Sequence, residues 1–325
     1  MIAALSILAA AAVAAGQAGA SAPTETAITA PGPQGDLAGT LVEPSAARGA
    51  PVVLMIPGSG PTDRDGNNPM GVKAASLKLL AEGLAEHGIA SVRVDKRGLF
   101  GSDKAIADAN KVTIGDYASD VHNWIDVIRK RTGARCVWVL GHSEGGLVAL
   151  AAARQPAGIC GLVLVAAAGR PIGKVMRAQL HANPANAPIL DEADAAISAL
   201  EAGKPVDASK LNPALAPLFN PAVQTYEIDL FGYDPAKLIA AYQGPVLIVQ
   251  GERDIQVSVD DDARKLAAAD PRATLALVPG MNHVLKAVAS DDRAANIATY
   301  GDPALPLAPG VVERIADFVR GHAAK

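Results

Sequence analysis

Short apolar runs alternate along this chain with amphipathic stretches. Val52-Val53-Leu54-Met55-Ile56 is apolar at successive positions and stops at Pro57-Gly58-Ser59-Gly60-Pro61, as expected of a strand covered on both faces and followed by a tight loop. Residues 74–87 place Leu77, Leu80 and Leu84 on one helical face, and Gly88 ends that stretch before a strand over 89–94. The pattern repeats. Val121, Trp124, Ile125 and Ile128 form a second stripe, Gly133 stops it, and a strand follows over 136–140. Further strands are predicted at 37–42, 161–165, 245–250 and Thr274–Val278, with helices near 258–268 and 311–320. The polar segment before residue 35 reads as a linker with room for a first edge strand. This alternation implies βαβ crossovers, hence an α/β fold with a mostly parallel sheet, helices on both faces and ligands beyond the strand carboxyl ends.

The rhythm breaks between Gly169 and Gln243, a connection far longer than α/β units ordinarily use. One helix is predicted there, over 189–202, with Asp191, Glu192 and Asp194 in its first turn, where the helix dipole favours acids. The chain thus divides into core segments 21–168 and 244–325 around an insertion, 169–243. The insertion reads as a helical cap that covers the site and lines its pocket, or else as a structural element shielding one side of the sheet.

Composition narrows the class. Half of the 325 residues are hydrophobic and only 3% aromatic, so aliphatic packing dominates. The net charge of −4 is small and the basic residues are scattered, which argues against a nucleic acid partner. Residues 1–20 carry no charged side chain and end in Ala18-Gly19-Ala20. That is the small-x-small pattern of a signal peptide cleaved near Ala20, with export to the periplasm or medium, against an uncleaved anchor as the alternative. No later apolar run is long enough to span a bilayer. Cys136 and Cys160 open neighbouring predicted strands, where they form either a disulfide or two small buried apolar side chains. Neither has the companions of a metal site or a thiol nucleophile.

The chemistry concentrates in Gly141-His142-Ser143-Glu144-Gly145-Gly146, which joins an apolar strand to an Ala/Leu-rich helical stretch. Gly-x-Ser-x-Gly between strand and helix is a nucleophile elbow. The turn strains the serine backbone and projects Ser143 Oγ above the sheet edge, while Gly141 and Gly145 remove side chains that would collide there. Serine needs a base, and the base an orienting carboxylate. Asp254, in Gly251-Glu252-Arg253-Asp254, and His283, in Pro279-Gly280-Met281-Asn282-His283, each follow a strand. Glu252 and Asp260 are competing carboxylates. His87, His122 and His322 fall in surface-helix patterns, His181 falls in the insertion, and His142 is better placed to tune the elbow than to act as base. Two oxyanion donors are expected, the backbone N–H of Glu144 and that of Ser59, with Gly60 the alternative in that loop. The Glu144 side chain reads as tuning His142, binding a polar substrate group or meeting solvent.

Together, Pro57-Gly58-Ser59-Gly60-Pro61-Thr62-Asp63-Arg64-Asp65-Gly66-Asn67, Asp95-Lys96-Arg97-Gly98, the elbow, Gly251-Glu252-Arg253-Asp254 and Met281-Asn282-His283-Val284-Leu285-Lys286 resemble the bacterial serine α/β-hydrolases related to serine aminopeptidases and small carboxylesterases. The resemblance covers nearly the whole chain after the leader. It implies an α/β-hydrolase fold with an eight-stranded, mostly parallel sheet, an inserted cap, no cofactor and activity on short acyl esters. Its triad transfers to Ser143, Asp254 and His283, and its oxyanion loop to residues 58–60. Within the polar run, Arg64 is expected either to pair with its flanking acids or to meet a substrate carboxylate or phosphate. Asp95-Lys96-Arg97-Gly98 reads as scaffolding whose charges satisfy one another.

The expected function is hydrolysis of short to medium acyl esters of small molecules through an acyl-enzyme. An amidase or aminopeptidase of the same chemistry is the alternative. It would need a carboxylate in the insertion for the substrate ammonium, with Glu192, Asp194, Glu227 and Asp229 as candidates. A binding protein on a hydrolase scaffold is a third reading, disfavoured because all three triad positions are filled in order. Oligomeric state is not legible.

Overall fold

The computed structural model describes residues 22–46 and 48–322, so the leader and its cleavage point lie outside the described residues. Eight strands form one sheet: β1 (Thr24–Pro31), β2 (Asp36–Glu43), β3 (Val52–Ile56), β4 (Ala90–Val94), β5 (Val137–His142), β6 (Ile159–Val165), β7 (Val246–Gly251) and β8 (Thr274–Val278). Their order is β1-β2-β4-β3-β5-β6-β7-β8. β2 pairs antiparallel with β1 and β4, and every pairing from β4 to β8 is parallel. The segment left between linker and edge strand is therefore an edge strand, β1.

The helices are α1 (Ser76–Glu86), α2 (Ile114–Thr132), α3 (Glu144–Ala152), α4 (Ile172–His181), α5 (Leu190–Glu201), α6 (Gln224–Phe231), α7 (Pro235–Ala241), α8 (Arg264–Ala269), α9 (Arg293–Ala298) and α10 (Val311–Gly321). Strand alternation distributes their partners. Leu54 and Ile56 of β3 face a core shared with Trp124 and Ile128 of α2, Val148 of α3 and Leu266 of α8. Val53 and Met55 face a second core with Leu80 and Leu84 of α1 and Ile315 and Val319 of α10.

Local sequence explains the boundaries. Thr113 and Asp116 cap α2 reciprocally, and Gly133, at φ 75°, closes it. The helix expected at 258–268 is instead a π turn over Val259–Ala263 leading into α8. That turn carries Asp262 inward, where it accepts from the Gly169 and Arg170 N–H groups at 3.1 Å and from the Arg170 guanidinium. Cys136 and Cys160 are joined in a disulfide, with Cα atoms 5.1 Å apart and β5 beside β6. The alternative of two unpaired cysteines is thereby removed.

Between β6 and β7 the chain builds α4 to α7. α6 packs on α2 and α7 on α3, and Ile197, Leu200 and Phe231 of this segment join the first core.

Candidate active site

At the end of β5 the backbone turns through Ser143 at φ 54°, ψ −118°, and α3 begins at the next residue. A non-glycine residue holds that conformation only where its surroundings enforce it. They do: the Ser143 N–H donates to the Val165 carbonyl at 2.9 Å. A Cβ on Gly141 would lie 2.0 Å from the Gly145 carbonyl oxygen, and one on Gly145 would lie 2.4 Å from that of Ile56. Larger residues would force the turn apart.

The two partners chosen from sequence meet. His283 Nδ1–H donates to Asp254 Oδ2 at 2.8 Å, with side chains only 7% and 0% exposed. Asp254 also accepts from Gln250 Nε2 at 3.0 Å and from the backbone N–H groups of Gln256 and Val257 at 2.8 and 3.0 Å. Burial works to raise its pKa, but the adjacent His283 and these donors outweigh burial and hold the carboxyl below its ordinary range. The bond at Nδ1 fixes the ring and leaves Nε2 as the nitrogen available for proton transfer. Asn282 pins the same loop: its Oδ1 accepts from the Lys286 N–H at 2.9 Å and its Nδ2 donates to Thr299 Oγ1 at 2.7 Å.

His142 is a support. Its Nε2–H donates to the His283 carbonyl at 2.8 Å, and burial, followed by the charge of His283, lowers its pKa to about 4. It is therefore neutral at pH 7. The Glu144 side chain is 5% exposed and pairs with Lys96, which removes the solvent-exposed reading of that side chain.

The polar run after β3 is tied down from β4. Arg64 does not pair with its flanking acids. Its backbone N–H donates to Asp95 Oδ1 at 2.9 Å, its Nε donates to Asp95 Oδ2 at 3.1 Å, and its Nη1 reaches Thr40 Oγ1 at 3.2 Å. Asp65 pairs with the buried Arg93, and Asp63 accepts from the N–H groups of Asp65 and Asn67 at 2.9 and 2.8 Å. Nor do the charges of Asp95-Lys96-Arg97-Gly98 satisfy one another. Asp95 holds Arg64, Lys96 holds Glu144, and Arg97 holds Asp116 and Asp120. Sequence reasoning had no means to see this, because each partner is distant along the chain.

Ser143 and His283 line one cavity of about 250 Å³, with Ser59, Asn68, Met70, Gln256 and Tyr300 among its walls. Gln256 Nε2 donates to the Tyr300 hydroxyl at 3.1 Å, and the Lys73 N–H donates to the Tyr300 carbonyl at 2.7 Å. The walls thus come from the segment 58–76, the elbow, Gln256 after β7 and the segment after β8. None of them comes from 169–243. That segment packs on α2, where Tyr226 lies edge-on to Tyr117 with ring centroids 6.3 Å apart. Among the described residues no group of three side chains is arranged to hold a metal ion, and no helix is long and apolar enough to cross a membrane.

A doubly wound sheet with a strained serine at the carboxyl end of a central strand, beside a buried Asp–His pair, defines a serine α/β-hydrolase. More narrowly, the chain belongs to the serine aminopeptidase S33 family, whose profile matches residues 70–286. The esterase EstD of Thermotoga maritima is 27% identical over 255 residues, covering 77% of this chain and 58% of that protein, so the chain spans little more than half of this relative. Est1E from Butyrivibrio proteoclasticus shares the fold at TM-score 0.56 and 17% identity, over 92% of this chain and 99% of that one. The proline iminopeptidase of Mycobacterium smegmatis does so at TM-score 0.59 and 16% identity, again over 92% and 99%.

Proposed function

We propose that this protein hydrolyses short-acyl carboxylic esters through an acyl-enzyme. The observation that carries this reading is the strained Ser143 sharing a cavity with His283, whose far nitrogen is bound by the buried Asp254. In it, Ser143 Oγ attacks the ester carbonyl as His283 Nε2 takes its proton, and the imidazolium is stabilised by Asp254. The backbone N–H groups of Ser59 and Glu144 receive the oxyanion. His283 then protonates the leaving alcohol, and water attacks the acyl-enzyme by the same proton path.

The cavity volume of about 250 Å³ falls below the range of ordinary ligand sites, which favours short acyl chains. The carboxylates weighed for an aminopeptidase are poorly disposed. Glu192 accepts from the Asn212 N–H at 2.6 Å, Asp194 from His181 at 2.9 Å and Asp229 from the Ile114 N–H at 2.7 Å. Neither these nor Glu227 line the cavity. The test compares wild type with Ser143→Ala on p-nitrophenyl esters of increasing acyl length and on aminoacyl p-nitroanilides. Turnover of acetate and butyrate esters that vanishes in the variant is expected. Turnover that survives Ser143→Ala would remove the nucleophile, and preference for the anilides would replace esterase by aminopeptidase.

Export is proposed alongside, supported by the Cys136–Cys160 disulfide, which belongs to oxidising compartments. Fractionation of cells expressing the full chain should recover a protein whose first residue is Ser21. Recovery of unprocessed chain from the cytoplasm would overturn export.

A further inference from the structure

We propose that Lys96 is a positioning residue of the oxyanion hole, setting both of its donors through one buried ammonium group. This rests on the serine hydrolase reading above and assigns a role to a side chain which that mechanism leaves unused. Lys96 follows the carboxyl end of β4 and is 4% exposed. Its Nζ donates to the Gly58 carbonyl at 2.7 Å and to Glu144 Oε1 at 3.2 Å, and it lies 5.4 Å from the centroid of the Tyr117 ring.

Each contact acts on a different donor. The Gly58 carbonyl belongs to the same peptide unit as the Ser59 N–H, and in a planar trans peptide the two point in opposite directions. There is no cis bond in the described chain. Drawing the Gly58 oxygen toward Lys96 therefore turns the Ser59 N–H the other way. Gly58 itself lies against the elbow, since a Cβ built on it would stand 3.4 Å from Ser143 Cβ and from His142 Nδ1. The second contact anchors the side chain of Glu144, whose backbone N–H is the other donor.

Charge gives a further reason for the pairing. A buried carboxylate on the residue after the nucleophile would oppose the negative charge that develops on the oxyanion. The Lys96 ammonium cancels it. Buried ion pairs add little to stability against an apolar replacement, so a role in geometry and in the local field accounts for this one better than folding does.

The experiment measures kcat and KM on p-nitrophenyl acetate together with thermal midpoints for wild type, Lys96→Met and the double variant Lys96→Met/Glu144→Met. Methionine offers no donor to the Gly58 carbonyl. Lys96→Met should lower kcat by about 10²-fold, the scale of losing one oxyanion donor, with KM changed less than threefold. The double variant removes the orphaned carboxylate and should regain the wild-type midpoint while kcat stays at least tenfold down. If Lys96→Met does not fold, the double variant alone carries the comparison. Recovery of kcat along with the midpoint would reduce Lys96 to a structural residue and overturn the proposal, as would a wild-type kcat in either variant. Absence of Ser143-dependent turnover in wild type is a different result, which removes the function and this role together.

Discussion

The Cys136–Cys160 bridge allows stability and catalysis to be separated by one perturbation. It closes a loop of 24 residues that runs up β5, through Ser143 and α3, and back down to β6. In the chain-entropy treatment a loop of that length restricts the unfolded chain by about 3.5 kcal/mol at 25 °C. Both cysteines sit at the amino ends of their strands, whereas Ser143 follows the carboxyl end of β5. The six residues of β5 lie between Cys136 and Ser143, which sets them about 23 Å apart at the usual strand rise. The double variant Cys136→Ala/Cys160→Ala should therefore lose about 2–4 kcal/mol in urea unfolding while its kcat on p-nitrophenyl acetate stays within twofold of wild type. Reduction of wild type with dithiothreitol should lower the urea midpoint to that of the variant, since both cysteines are only half-buried. A loss below about 1 kcal/mol would refute the loop-entropy reasoning. An intact midpoint with a collapsed kcat would refute the spatial one, because the bridge would then be setting the elbow.

Two further outcomes are expected. Asp254→Asn should keep the fold and lower kcat by about 10³–10⁴-fold, because an amide no longer fixes the His283 tautomer; a loss under tenfold would remove Asp254 from the triad. Glu227 has a half-buried carboxyl with one oxygen that finds neither solvent nor a hydrogen-bond partner, and burial raises its pKa from 4.5 to about 7. The folded state then holds this proton more tightly than the unfolded state, so stability falls as pH rises from 4.5 through 7. The full shift corresponds to about 3 kcal/mol, reduced by solvent contact to roughly 1–2 kcal/mol. Glu227→Gln should raise the thermal midpoint at pH 8 and leave it unchanged at pH 4; an equal shift at both pH values would contradict the titration.

The elements that proved legible in the sequence were those whose cause is local. Apolar runs marked the central strands β3, β5 and β7 because both faces are buried, and the α2 stripe ended at Gly133 because only a residue tolerant of positive φ closes that helix well. Ser143, Asp254 and His283 were legible because each follows a strand end, and strand ends converge on one edge of a parallel sheet. The partners of Arg64, Lys96 and Arg97 were not, since a salt bridge between residues 31 or 48 positions apart leaves no periodic trace. The cavity walls escaped for a related reason. They depend on how the 58–76 segment meets Tyr300, a contact made across more than 200 residues of chain.

The charge pairs around this site share one arrangement. Arg93 with Asp65, Arg64 with Asp95, and Lys96 with Glu144 each join a strand or strand end to a loop or helix start. In every pair at least one partner is nearly or wholly buried. Burial of ions is an inefficient way to stabilise a fold, because desolvation offsets most of the attraction. It does specify position: a guanidinium or ammonium with two or three fixed acceptors permits few loop conformations. On the proposed mechanism that restriction matters, because the oxyanion is received by backbone N–H groups, which are aimed by the segments that carry them. The acid and base residues are held by the sheet and by Asp254. On that reading the Ser59 donor depends on a loop, and that loop is held by charge, by Lys96 at the Gly58 carbonyl and by Asp95 through Arg64.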